Sequence, residues 1–440
     1  MMIDETEAAR LSTDAIELCS RLIRFDTSNF GNGESRGERE AAEWVAEQLT
    51  DAGLDPIVLE SAPGRANTIA RIPGVDPTAP ALLVHGHLDV VPAEAAAWSL
   101  PPFAGEIRDG AVWGRGALDM KDMDAMMLAF VHHLARTGQS PPRDIVMAFV
   151  ADEEDTGEYG AAFLVEQHPH LFDGVTAAVS ESGGHLVRLP DGGRLYPIAA
   201  AERGSAWMTV TARGTAGHGS RRNDDNALVK LAAAIGRIDA YAWPVHISPT
   251  VRALLDGLAE HFGRPIDPSD LSPLGSAAQL VARTLANSLN PTMLNAGYKH
   301  NVIPGEATAA LDGRILPGTE TEFFETVDAL LGPGISRTGR CNGPVSADHR
   351  SPDFAAIAAA LRAHDPEALV LPYCMSGGTD AKSFARLGIP GYGFVPGRAP
   401  EGFDAWQYVH GVDEHVPTDS LAFGVQVLTT YLMTDPRALA

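Results

Sequence analysis

A chain of 440 residues with 45% hydrophobic and 20% charged side chains has a soluble, globular composition and is too long for one ordinary core, so two or three folding units are expected. The net charge of −24 weighs against nucleic acid or anionic membrane as a partner, because phosphates would be repelled, and it suits a protein that gathers carboxylates around a cation. No run approaches the roughly 20 apolar residues of a membrane span; the acidic stretch Met1–Arg10 is unlike the front of a secretory signal, and three widely spaced cysteines, Cys19, Cys341 and Cys374, fit a reducing, cytoplasmic setting.

The first readable element is a helix over Arg36–Ala52, where Ala41, Val45 and Leu49 recur at helical spacing and Gly53 stands at the cap position. Short apolar runs read as strands at Pro56–Leu59, Asn67–Ile72 and Ala81–Val84, before a helix over Met120–Ala135. Ile145–Val150 and Val175–Val179 are continuous apolar runs, as expected of strands buried on both faces. Helices between buried strands imply a three-layer α/β domain with a mostly parallel sheet. The character changes near Tyr196. A strand at Ala206–Ala212, helical patterns at Asn226–Tyr241, Pro249–Phe262 and Ser276–Leu289, and a strand at Thr308–Leu316 read as a smaller α+β unit. The α/β pattern resumes from Pro317, with helices near Glu322–Leu331, at Asp353–His364 and from Thr418, and a strand at Leu369–Tyr373. The expected organisation is a discontinuous catalytic domain, 1–197 and 317–440, interrupted by an α+β domain at 198–316.

Acids and histidines recur where these elements end. His85-Gly86-His87-Leu88-Asp89 directly follows the run Ala81–Val84, and strand ends are where open α/β sheets place ligands. An Asp two residues from a His can accept its second ring N–H and aim the other nitrogen at a metal; a hydrogen-bonded polar pair in a loop is the plainer alternative. Gly114-Arg115-Gly116-Ala117-Leu118-Asp119 delivers Asp119 at the mouth of the next helix, where it could equally be an N-cap. Asp152-Glu153-Glu154 follows Ile145–Val150, and Glu181 follows Val175–Val179. Adjacent carboxylates repel, and a cation or solvent must relieve them; a plain acidic turn is the alternative. His410 lies in Val409-His410-Gly411-Val412-Asp413-Glu414. Together these are the ligand types that zinc accepts.

In order and wording the motifs, including Gly377-Gly378-Thr379-Asp380, resemble the zinc metallopeptidase family of aminoacylase, acetylornithine deacetylase, succinyl-diaminopimelate desuccinylase and glutamate carboxypeptidase, over roughly Leu18–Leu432. The resemblance implies two zinc ions, with Co²⁺ or Mn²⁺ as substitutes, and Asp119 bridging them. It implies His87 and Glu181 on one ion, Glu154 and His410 on the other, Glu153 as general base and Asp89 as the partner of His87. The implied reaction is cleavage of an amide or peptide bond in a dipeptide, at a peptide C-terminus or in an N-acyl amino acid. A desuccinylase or deacetylase of the same family, a single-metal hydrolase and a non-catalytic dimeric binding protein are the alternatives.

The resemblance also makes the 198–316 unit a lid and dimerisation domain. It implies that His218, in Gly214-Thr215-Ala216-Gly217-His218-Gly219-Ser220, reaches a partner subunit's active site in a homodimer and helps hold the oxyanion; the residues alone read as a surface loop. Arg221 stands where the family often has proline. Arg203, Asn301, Arg314, Gly378 and Thr379 match family substrate-binding positions. Arg314 is the first choice for a substrate carboxylate, because a guanidinium donates two parallel hydrogen bonds.

Overall fold

The computed structural model describes residues 4–439; Met1, Met2 and Ile3 of the acidic N-terminal stretch lie outside the described residues. From Glu5 the chain is helical to Ile23, an element the sequence reading had not marked. Asp4 caps it by accepting the Glu7 N–H. Leu11, Ala15, Leu18 and Leu22 form its buried stripe.

The large sheet runs in the order 187–188, 194–202, 391–393, 175–180, 81–87, 145–150, 65–72, 57–62, with 368–375 and 345–346 also pairing with 194–202. Its centre is parallel: Ala81–His87 lies between Ile145–Val150 and Val175–Ser180, all in one direction. The margin at 57–62 and 65–72 is antiparallel. Period-two alternation divides the core. In Ile145–Val150, Ile145, Met147 and Phe149 enter the cluster beneath helices Glu5–Ile23, Lys121–Thr137 and Thr418–Leu432. Val146, Ala148 and Val150 enter the opposite cluster with Leu164 and Phe384 of helices Ala161–Gln167 and Ala381–Ala385. Both faces are covered, which accounts for the unbroken apolar run. The expected three-layer α/β arrangement is the observed one.

A second, antiparallel sheet has the order 288–296, 306–315, 204–213, 335–342. Helices Ala227–Ala240 and Glu320–Leu331 cover one face through Leu231, Ala234, Phe323 and Val327. Sheet membership differs from the expected limits 198–316. Strand Arg194–Glu202 belongs to the large sheet, where it runs parallel to Ala368–Met375. Strand Ile335–Asn342 pairs along Ser205–Ala212 of the small one. The latter carries little apolar signal because nearly all of it is exposed at a sheet edge. Helix Pro249–Phe262, although within the 198–316 stretch, packs Val251, Leu254 and Leu258 against Leu195 and Tyr373 of the large sheet.

One expected helix is corrected. Instead of spanning Ser276–Leu289, the chain makes a short 3₁₀ stretch, Ser272–Ala278, then one helical turn, Gln279–Ala282, and enters strand Ser288–Ala296. Leu285 and Leu289 continue the helical spacing from Val281, but the helix stops at Ala282. Asn287 then accepts the Leu316 N–H and the Thr319 hydroxyl, and the backbone beyond it finds a ladder partner in Glu306–Ile315.

A buried charge triad ties the sheet margin to the turn after Ile145–Val150. The Arg65 guanidinium meets Glu38 at 2.9 Å and Asp152 at 2.8 Å, with both carboxylates fully buried. Arg65→Ala leaves two buried acids without a counter-charge and is expected to cost about 3–5 kcal/mol, read as a fall in the urea midpoint. Arg39→Ala, which breaks exposed pairs with Glu43 and Glu60, should leave that midpoint nearly unchanged.

Candidate metal centre

Three neighbouring parallel strands end side by side, and each delivers an acid or histidine from its C-terminal end. Ala81–His87 ends on His87; Ile145–Val150 leads into Asp152-Glu153-Glu154; Val175–Ser180 leads into Glu181. Asp119 arrives from the loop before helix Lys121–Thr137. That helix is capped at Met120 with no side-chain bond, so the Asp119 carboxylate is not used as a cap. His410 comes from a loop fastened to the Asp119 loop by a buried clamp. The Arg115 guanidinium donates to Glu414 at 2.5 Å and to the carbonyls of His410 and Gly411. The other oxygen of Glu414 accepts the Leu118 and Asp119 N–H groups.

These five elements converge on one point. The Asp119 Oδ1 lies 3.1 Å from His87 Nε2, and its Oδ2 lies 3.1 Å from His410 Nε2. His410 Nε2 is also 3.1 Å from Glu154. Glu181 and Glu153 each stand 4.0 Å from His87 Nε2. His87, Asp119 and Glu154 offer donor atoms all within 4.8 Å of one another, and so do His87, Glu153 and Glu181. By distance alone Glu153 is therefore as close to His87 as the expected ligand Glu181.

The electrostatics are those of crowded acids. Burial, followed by the charge of Glu181, pushes the Glu153 carboxyl well above its ordinary range. Burial and the Asp119 charge do the same for Glu181. Burial would also raise Asp119, but hydrogen bonds from His410 and His87 outweigh it and hold the carboxyl low. Bonds to Asp119 and Glu154 raise His410 to about 10. Among the described residues no lysine or arginine pairs with any of these six side chains. Four partly buried carboxylates with the buried His87 and the half-exposed His410 fit divalent cations of the zinc type.

The surrounding residues fix this geometry. Contrary to expectation, the Asp89 carboxylate does not hold His87; its nearer oxygen is 3.7 Å from Nδ1, while the Asp89 carbonyl takes that nitrogen at 2.9 Å. The carboxylate is occupied by the Glu153 and Glu154 N–H groups and by Asn29, so it sets the acidic turn instead. Asp152 and His410 both have positive φ, 71° and 59°, a costly conformation for such residues that turns the chain sharply at the cluster. Gly86 permits a close approach: a Cβ there would lie 2.3 Å from the Asp124 Oδ1 of the helix beneath.

A cavity of about 700 Å³ opens beside Glu153 and is lined by Arg314, Gly378, Thr379, Asp380 and Lys382 among others. Thr379 bonds Glu202 through both its N–H and its hydroxyl. The Arg314 fork is engaged by Asp312 at 2.7 and 3.0 Å. Lys382, which the sequence reading missed, donates to the Arg203 carbonyl and, among the described residues, pairs with no carboxylate. Its place three residues after Thr379 was the available signal. Asp380, quoted only as part of a motif, adds charge against both Glu153 and Glu181. Arg203 is buried and spends its guanidinium on Ser288 and the carbonyls of Arg283, Ala286 and Arg314. His218 and Asn301 lie together elsewhere, on an exposed tip where 217–218 pairs with 302–303 and the Gly219 N–H donates to the Asn301 carbonyl.

The sequence profile of Peptidase family M20/M25/M40 matches residues 83–434. Pig (Sus scrofa) aminoacylase-1 is 30% identical over 366 residues, covering 81% of each chain. An M20 family metallo-carboxypeptidase from Sulfolobus solfataricus superposes with a TM-score of 0.71 at 19% identity, over 99% of this chain and all of that one. A dinuclear metal-binding M20 peptidase from Bacillus subtilis does so at 0.59 and 14%, over 98% of each. With its strand-end cluster of histidines and acids and a match across most of its length, the chain belongs to Peptidase family M20/M25/M40 and is a hydrolase of amide bonds.

Proposed function

We propose that this hydrolase is a di-zinc enzyme cleaving N-acyl amino acids or short peptides next to a free carboxylate. The observation that carries the reading is Asp119, which turns one oxygen to His87 and the other to His410 at equal distances, as a carboxylate shared by two cations must. His87 and Glu181 would hold one ion, Glu154 and His410 the other. The relative from Bacillus subtilis, described as dinuclear, supports the count, and aminoacylase-1 supports the substrate class. Two divalent cations in this set supply Lewis acidity toward a carbonyl and make water acidic.

The chain's own residues do the rest. Glu153 lines the cavity, and a carboxylate of raised pKa is suited to accept the proton of the attacking water and return it to the leaving nitrogen. The new C–O bond forms as the C–N bond breaks. Asp89 holds the Glu153 backbone in place. The substrate carboxylate is received in the same cavity by Arg314, steadied by Asp312, and by Lys382, with Gly378 and Thr379 on the facing wall. Arg203 backs Arg314 by donating to its carbonyl, and Asn301, on the same exposed tip as His218, would serve a partner's site with it.

His218 acts in a partner's site within a homodimer. Strand Ser288–Ala296 is a sheet edge carrying Met293 at 71% exposure and Leu294 at 66%, with Tyr298 at 83% beyond it. Such an edge favours pairing with a second copy. The three cysteines stand free, in keeping with a reducing, cytoplasmic compartment, and no helix among the described residues is long and apolar enough to cross a membrane.

Metal-free protein reloaded with zinc should recover hydrolysis of N-acyl amino acids or dipeptides. Glu153→Ala should still bind two ions per chain by elemental analysis, yet lose about 10²–10⁴-fold in kcat; fewer than two ions in the wild type would refute the di-zinc reading. Zinc uptake near pH 7.5 should release protons, because His410 titrates near 10 in the metal-free chain and a ligating imidazole is neutral. Calorimetry in buffers of different ionisation enthalpy reads that release. Met293→Asp with Leu294→Asp should yield monomers in analytical ultracentrifugation that have lost activity, whereas a fully active monomer would exclude the role given to His218.

A further inference from the structure

The tip that carries His218 is exposed from Thr215 to Arg222, yet it is tied down on both sides. The Gly214 N–H donates to the Gly305 carbonyl, the Thr215 N–H to that of Asp225, and the Asn223 side chain to that of Thr215. The Gly219 N–H reaches the Asn301 carbonyl at 2.9 Å, and His218 pairs with Val302 in a short two-stranded ladder. Arg221 closes the turn: its N–H donates to the His218 carbonyl at 3.0 Å, a bond that a proline at this position could not make. The His218 backbone is therefore held in one place although solvent surrounds it.

The ring is folded back onto the same turn. Its Nδ1 lies 2.8 Å from the Ser220 hydroxyl and receives the Ser220 N–H at 3.3 Å. A backbone N–H can only donate, so Nδ1 is the acceptor. A neutral imidazole carries one ring proton, and the bond made by one nitrogen decides where that proton sits. With Nδ1 accepting, the proton is on Nε2, and the Ser220 hydroxyl donates to Nδ1 as well. Among the described residues nothing pairs with Nε2.

We infer that Ser220 is a positioning residue for His218. It fixes the ring as the Nε2–H tautomer, so that His218 enters a partner's site as a neutral hydrogen-bond donor. The inference rests on the reading of His218 given above. The opposite tautomer would present a lone pair to a developing oxyanion and repel it. A donor set in advance costs no reorganisation when the charge appears.

The tautomer is read by nitrogen-15 spectra of histidine-labelled, zinc-loaded protein at about pH 8.5, above the ordinary imidazole range. The spectrum of His218→Gln identifies the signals by subtraction. The wild-type ring should be unprotonated at Nδ1 and protonated at Nε2. Ser220→Ala, a change on an exposed turn, should lower the ratio of Nε2–H to Nδ1–H about 5-fold, as the loss of one hydrogen bond does. It should lower kcat by about as much with KM little changed, and Ser220→Thr, which keeps the hydroxyl, should restore both. An amide nitrogen takes the place of Nε2 in glutamine and of Nδ1 in asparagine. His218→Gln should therefore keep kcat about 10-fold above His218→Asn. A ring protonated at Nδ1, a ratio and kcat unmoved by Ser220→Ala, or His218→Asn at least as active as His218→Gln would each overturn the role of Ser220 while leaving that of His218 standing. Full activity in His218→Ala would instead remove the reading of His218 itself, and this inference with it.

Discussion

Bringing like charges together inside a protein is costly, and the architecture of this chain is organised around doing so at one point. Asp119, Glu153, Glu154 and Glu181 lie within a few ångströms of His87 and His410, where burial alone would favour their neutral forms. Divalent cations relieve that cost, and folding must hold the acids in place for them. Much of the surrounding structure is anchorage. Asp89 and Asn29 fix the acidic turn, Arg65 joins that turn to Glu38, and the Arg115–Glu414 clamp binds the Asp119 and His410 loops into one unit.

The sheet explains why one point is reachable at all. Parallel strands send their C-terminal ends to the same edge, so His87, the Glu153-Glu154 pair and Glu181 are neighbours although nearly a hundred residues separate the first from the last. Covering both faces with helices keeps the edge rigid. Asp119 and His410 then close the cluster from loops tied together by the short strands 111–113 and 415–417.

Two openings in the surface differ in lining: one, beside Glu153, holds Lys382 and Arg314, and the other combines Leu118, Leu280 and Tyr373 with the exposed Arg188 and Arg283. The small antiparallel sheet contributes Arg314 to the first cavity, while His218 and Asn301 lie on an exposed tip that lines neither cavity.

Local signals were enough for much of this. Uninterrupted apolar runs identified the buried strands, because a strand covered on both faces has no polar side to show. Ser248-Pro249 and Gly263 bounded a helix whose caps form as their chemistry requires. Motif order pointed to the residues that meet in the cluster: His87, Glu153, Glu154 and Glu181 end or follow recognisable strands and Asp119 precedes a helix, while His410 sits in a loop with neither signal. What sequence could not decide depends on contacts distant in the chain. Strand Ile335–Asn342 is nearly all exposed and exists through its pairing with 205–212. The segment after Val281 is a strand because Glu306–Ile315 lies beside it. Asp89 serves the acidic turn rather than His87 because two N–H groups and Asn29 reach its carboxylate first. Among the described residues Lys382 pairs with no carboxylate while Arg314 is held by Asp312, and the second cavity is assembled from six separate stretches of chain. Residue type and local spacing fixed which groups could act; only the folded packing decided which of them meet.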